Sequence, residues 1–209
     1  MLKVTIQGIS LYTGPAYEAA AIAESFLEEN MLHVIGEITN RAMTAARTDE
    51  TVKRHLEQMD LAVFGEVGLL RAADADTPML VQEVKSRAFF HAFFESLEKN
   101  GRLLYLLSDS REKLEMLRSY LDETFPQLPR IGEGVLEEQI DDEDQIVNEI
   151  NAAAPDIVLS VIGSPAAEHF FEEQSRKLGI RLWYEIGDFE KMYKKIHQSS
   201  SFFRRFALK

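Results

Sequence analysis

Two short stretches of this chain carry residue types at spacings that could do chemistry. In "DIVLSVIGSPAAEHFFEEQ" an apolar run passes into Gly163-Ser164-Pro165 and then into an amphipathic segment. A turn of this kind at the end of a parallel strand offers backbone N–H groups and a Ser hydroxyl to a phosphate or a ribose. The same three residues also read as an ordinary helix start, with Ser164 as N-cap and Pro165 at the first helical position. Asp74 and Asp76, in "RAADADTP", have the Asp-x-Asp spacing whose hard oxygens suit Mg²⁺. They read equally as an acidic loop that leads to a helix start at Thr77-Pro78.

The five histidines (His33, His55, His91, His169 and His197) show no His-x-x-x-His spacing, and the chain has no cysteine. Thiolate metal sites and disulfides are therefore excluded, and no metal site is expected. His169 falls one turn into the helix after Gly163-Ser164-Pro165, where it could face the same pocket.

The elements that must position these residues alternate in type. "LKVTIQGI" reads as a first strand, and Pro15 opens an amphipathic helix. "LHVIGEI", "DLAVFG", "RLLYLL", "RIGEGVL", "DIVLSVI" and "IRLWYEI" read as further strands. "RLLYLL" is apolar throughout, as a strand covered on both faces must be. Helices are expected at "DETVKRHLEQ", "REKLEMLRSYLDETF", "DEDQIVNEINAAA" and "PAAEHFFEEQSRKLG", and as one long helix from Met79 to Asn100 that Gly101 ends. "AFFHAFF" places Phe89, Phe90, Phe93 and Phe94 on one broad face, which reads as core, with a subunit interface as the alternative. Strands alternating with helices predict an α/β fold, Rossmann-like and three-layered, with a mostly parallel sheet. Residues 1–190 are expected to form one domain and 191–209 a tail.

The 209 residues carry a net charge of −12, which excludes non-specific nucleic-acid binding by the chain as a whole. The charge is uneven: Lys191 to Lys209 holds six Lys/Arg and no acid. There Phe202, Phe203 and Phe206 interleave with Arg204, Arg205 and Lys209, a pattern that can lie on an anionic membrane surface. No apolar run is long enough to span a bilayer, and the N-terminus does not read as a signal peptide. A cytoplasmic protein, peripheral at the inner face of the cell membrane through its tail, is the expectation.

From "NGRLLYLLSDSREKLEMLRSYLDETFPQL" through "IGEGVL" to "INAAAPDIVLSVIGSP", the order of elements resembles the WecG/TagA/CpsF family of bacterial glycosyltransferases. The resemblance runs from about Leu32 to Asp188 and is most specific in "INAAAPDIVLSVIGSP". It implies inverting transfer of an N-acetylhexosamine from a UDP-sugar to a polyprenyl-diphosphate-linked acceptor, in cell-envelope polysaccharide synthesis. It calls for no cofactor.

The departures from the family pattern are specific. After Gly-Ser-Pro the family has Lys-Gln-Glu, and here Ala166, Ala167 and Glu168 follow, so only the Glu remains. Where the family has its acid, thought to be the catalytic base, a gapless comparison places Gly65, and Glu66 follows. The family's Thr-x-Asn falls at Glu37 and Thr39. Its Gly-rich turn falls at Ser108-Asp109-Ser110, where Asp109 would repel a diphosphate.

Two readings from different classes remain. One is a divergent transferase with Glu66 as base and a pocket formed by Gly65, Gly134, Gly163, Ser164 and Glu168. The other is a catalytically inactive relative that acts as a binding or assembly partner, with the Phe89–Phe94 helix as its contact. A nucleotide sensor that binds without reacting is a third, and a homo-oligomer is compatible with each.

Overall fold

A computed structural model describes residues 2–138, 143–191 and 193–194. The basic aromatic tail from residue 195 onward lies outside the described residues, so the membrane-contact expectation for Phe202 to Lys209 does too.

The chain opens with a hairpin, not one strand: β1 (Lys3–Ile6) pairs antiparallel with β2 (Ile9–Tyr12) as a separate two-stranded sheet. Gln7 and Gly8 turn it, with φ of 53° and 90°. Two consecutive positive φ values give a turn whose twist matches that of the flanking strands.

The main sheet comprises β3 (His33–Ile38), β4 (Leu61–Phe64), β5 (Leu104–Ser108), β6 (Arg130–Val135), β7 (Ile157–Ser160) and β8 (Leu182–Ile186). All six are parallel, in the order β4-β3-β8-β7-β5-β6. Between them run α1 (Ala16–Phe26), α2 (Asn40–Ala45), α3 (Glu50–Gln58), α4 (Val67–Ala72), α5 (Pro78–Ser86), α6 (Ala88–Lys99), α7 (Arg111–Thr124), α8 (Glu143–Ala153) and α9 (Ala166–Gln174). The α/β, Rossmann-like three-layer arrangement expected from the sequence is what the chain adopts.

Strand alternation divides the core between the two faces. Leu104, Leu106, Leu182 and Tyr184 pack with α1, α6 and α7 on one face. Tyr105, Leu107 and Trp183 pack with α8 and α9 on the other, while Ala62 and Phe64 meet α2 and α3. Burying both faces accounts for the apolar runs 104–107 of β5 and 182–184 of β8.

The phenylalanine-rich helix belongs to this core. Phe90, Phe93 and Phe94 are fully buried and Phe89 nearly so. They surround Tyr184 in edge-on and tilted contacts at ring separations of 5.9–6.4 Å. Those rings are thus inside the fold and not available as a contact surface.

The expected long helix from Met79 to Asn100 is instead two helices, α5 and α6, broken at Arg87 in the left-handed region (φ 55°, ψ 41°). A non-glycine residue held there costs energy that surrounding contacts must offset. Arg87 Nη1 donates to Glu37 Oε2 at 2.5 Å. That ion pair ties the break to the end of β3.

β5 and β7 are neighbours whose following helices pass to opposite faces, α7 to one and α9 to the other. Such a divergence opens a crevice at the carboxyl ends of the strands, where folds of this kind hold ligands.

Candidate functional site

Of the residues the sequence assigns to the transferase site, Gly65, Glu66, Gly163, Ser164 and Glu168 line one of two neighbouring hollows at the carboxyl edge of the sheet, and Gly134 lines neither. The larger is a cleft of about 600 Å³ lined by Thr39, Gly65, Glu66, Arg87, His91, Tyr120, Asp188 and Lys191. The smaller, about 60 Å³, is lined by Thr39, Arg41, Lys113, Gly163, Ser164, Glu168, Glu185 and Asp188. Thr39 and Asp188 border both. Only the larger has the size of a small-molecule pocket. Gly134 lies apart, on edge strand β6, with Tyr105 and Leu107 of β5 covering it.

In the larger cleft, Gly65 brings the backbone close to β3: its N–H donates to Ile38 O at 2.8 Å, and a Cβ at this position would lie 2.8 Å from that oxygen. The turn leaves Glu66 at the head of α4, where it makes no cap of its own. Its carboxylate is gripped instead from two sides. Asn40 Nδ2, from the first residue of α2, donates to Oε2. Lys191 Nζ donates to Oε1 at 2.9 Å. Burial pushes the Glu66 carboxyl up, but the hydrogen bonds and charge of Lys191, together with Asn40, outweigh it and hold it below its ordinary range. Glu66 is therefore ionised at neutral pH.

The wall opposite is cationic but largely neutralised. Arg87 pairs with Glu37, and Tyr184 donates its hydroxyl to the same carboxylate at 2.7 Å. Burial drives the Tyr184 phenol well above its ordinary value. Burial likewise lowers His91, whose Nε2 lies 3.3 Å from the Tyr120 hydroxyl, so the imidazole is neutral near pH 7.

In the smaller hollow, α9 does not begin as the sequence suggests. Its N-cap is Pro165 (φ −88°, ψ 0°), without a side-chain capping bond, and the Ser164–Pro165 peptide is cis. Gly163 O accepts from the N–H groups of Ala166 and Ala167. Ser164 thus does not serve as N-cap. Its hydroxyl turns toward Glu168, close enough to favour the charged carboxylate, yet neither Ser164 Oγ nor Glu168 Oε2 completes a well-formed hydrogen bond.

Glu168 is 2 % exposed. Burial first, and the Glu185 carboxylate second, push its pKa up. Glu185 sits 3.0 Å from His55 Nε2 and accepts from Trp183 Nε1 at 2.7 Å. For His55, burial works against the charged form, but the carboxylates of Glu185, Glu168 and Glu172 prevail and raise it. This buried acid–imidazole group went unnoticed in the sequence, because its members lie on α3, α9 and β8.

His169 faces away from the pocket and meets Asp49 at 2.7 Å. Among the described residues there is no group of three or more acidic or histidine side chains that could hold a metal, Asp74 and Asp76 included. Among the described residues no helix is long and apolar enough to cross a membrane.

Residues 4–209 match the model of the glycosyl transferase WecG/TagA/CpsF family, nearly the whole chain. No curated protein matches it. The chain belongs to the WecG/TagA/CpsF glycosyltransferase family.

Proposed function

We propose that this family member transfers an N-acetylhexosamine from a UDP-sugar to a lipid-linked acceptor, with Glu66 as the general base. The observation that carries this reading is the Asn40–Glu66–Lys191 cluster on the wall of the 600 Å³ cleft. An ionised carboxylate is the state a base must start from. Glu66 would take the proton of the acceptor hydroxyl as that oxygen bonds to the anomeric carbon. The bond from that carbon to the diphosphate oxygen breaks, and its electron pair leaves with UDP. Asn40 would aim the carboxylate, and the cations of the cleft would meet the developing charge on the diphosphate.

The resemblance supports the same pair. It sets the family's Asn at Thr39 and its acid at Gly65. Moving both one residue along places them at Asn40 and Glu66, and the separation of 26 residues is kept. On that register Ile38 stands where the family has Thr.

The test is Glu66→Gln, assayed for transfer from UDP-N-acetylglucosamine and UDP-N-acetylmannosamine to a short-chain lipid-linked acceptor. Turnover should fall by about 10²–10⁴ while donor affinity is retained. Unchanged turnover would remove Glu66 from the mechanism. A second reading, an inactive relative that acts as a binding or assembly partner, is favoured by one observation: Arg87 is already neutralised by Glu37. It predicts no turnover in the unaltered chain.

A further inference from the structure

The crevice between β5 and β7 is filled at its mouth by the chain's own carboxylate. Asp109, in the turn after β5, directs Oδ2 at two donors that belong to different elements. Lys113 Nζ, from the first turn of α7, approaches it at 2.6 Å. The N–H of Gly163, in the turn before α9, donates to it at 3.2 Å. One ammonium and one backbone N–H converging on a single anionic oxygen, at a topological switch point, is the way such folds hold a phosphate oxygen. Arg41 closes the far side, since a Cβ on Gly163 would lie 3.3 Å from its guanidinium.

The lining of the same hollow is left incomplete. Ser164 is 9 % exposed and Glu168 2 %. Ser164 Oγ, Glu168 Oε2 and Asp109 Oδ1 are all shielded from solvent without a well-formed hydrogen bond. Buried polar atoms normally have partners, so these three atoms are positions at which a ligand could hydrogen-bond.

We propose that Asp109 is an internal stand-in for a phosphate group: it occupies the anion seat formed by Lys113 and Gly163 and so sets which ligands the crevice accepts. A diphosphate can use the seat only after Asp109 leaves it. The chain as it stands therefore binds a diphosphate there only by displacing Asp109, and more weakly than an open seat would. This inference rests on the transferase reading and adds to it that the donor's diphosphate reaches the crevice between β5 and β7, where Asp109 determines specificity.

The test compares the unaltered protein with Asp109→Ser by calorimetric titration with inorganic pyrophosphate, and then with UDP and with farnesyl diphosphate. Freeing the seat should tighten pyrophosphate binding about ten- to hundredfold, the range of one or two charge-assisted hydrogen bonds. Asp109→Asn, which preserves shape and an acceptor oxygen for Gly163, should shift in the same direction by less. It serves as the second variant if Asp109→Ser does not fold. Adding Lys113→Met should abolish the gain. Asp122→Ser, which removes the same charge from the far end of α7, should produce none.

Equal pyrophosphate affinities in the unaltered and Asp109 proteins would overturn the proposal. So would a gain that survives Lys113→Met or is reproduced by Asp122→Ser, since the effect would then be net charge alone. A gain for UDP as well identifies a nucleotide as the source of the diphosphate. A gain for farnesyl diphosphate but not UDP identifies the lipid-linked acceptor. Tighter pyrophosphate with UDP bound by neither protein would leave the seat standing and defeat the donor-pocket reading. UDP bound equally by both, with no pyrophosphate gain, would do the reverse.

Discussion

Arg87→Met should remove the cation from a pair that is largely shielded from water. The side chain of Glu37 is 7 % exposed and that of Arg87 17 %, and their contact is 2.5 Å. At an effective dielectric constant near 20, two charges about 4 Å apart interact by ~4 kcal/mol. Breaking a buried pair from one side costs about 3–5 kcal/mol, because the remaining charge is left uncompensated. The Tyr184 hydroxyl still donates to Glu37 at 2.7 Å, so the carboxylate is not left entirely bare. That argues for the lower half of the range. Met at position 87 meets the same left-handed backbone as Arg, so strain cancels in the comparison. For a chain of this length each kcal/mol corresponds to about 2–4 °C in Tm, and a fall of roughly 6–16 °C follows. The assay is urea unfolding with thermal melting alongside. Glu37→Gln combined with Arg87→Met should recover most of the loss, because the orphaned charge is gone. A loss below about 1 kcal/mol for the single change, or no recovery in the double, would refute the assignment of this pair as the anchor of the α5–α6 break.

Two further changes bear on the cleft. Lys191→Met should raise the Glu66 pKa, since Lys191 is the chief group holding it down; the acid limb of the pH–rate profile should move to higher pH. Because the folded-state pKa of Glu66 is depressed, its contribution to stability is present above the unfolded pKa and is lost as pH falls through the folded one. The two proteins should therefore unfold alike in acid and differ only above that window, by no more than about 1 kcal/mol, because the Lys191 side chain is 68 % exposed. Gly65→Ala would bring a Cβ to 2.8 Å from Ile38 O, so the turn must shift; a loss of about 1–3 kcal/mol in denaturant unfolding is expected, together with reduced turnover through a displaced Glu66.

The legible parts of the fold were those whose cause is local. β5 declared itself because a strand covered on both faces reads as a continuous apolar run, here 103–107. Thr77 caps α5 through Leu80 N, with Pro78 at the first position, as the sequence signal requires. The hairpin was missed because Gln7-Gly8 is not among the strong Asn-Gly or Asp-Gly signals, and the alternating pattern continues straight through it. The break at Arg87 has no local signal at all. No Gly or Pro marks it, and the contact that stabilises it comes from Glu37, fifty positions earlier.

The site divides along the same line, and its chemistry follows from the division. Glu66 was reached through the family pattern, but its partners Asn40 and Lys191 come from the start of α2 and from beyond β8. Ser164 was read as a cap because Ser-Pro is a common helix start; in the fold its hydroxyl turns to Glu168, a choice that depends on the buried pair Glu168 and Glu185. Asp109 was expected to repel a diphosphate, and its place between Lys113 and Gly163 sharpens that expectation. A carboxylate that merely lay nearby would be screened by solvent and would weaken a ligand modestly. One that takes both donors of an anion seat competes with the ligand for the same atoms. The distinction matters for activity: a repelled diphosphate binds weakly at every step, whereas a displaced carboxylate makes binding and rearrangement of the turn after β5 a single event.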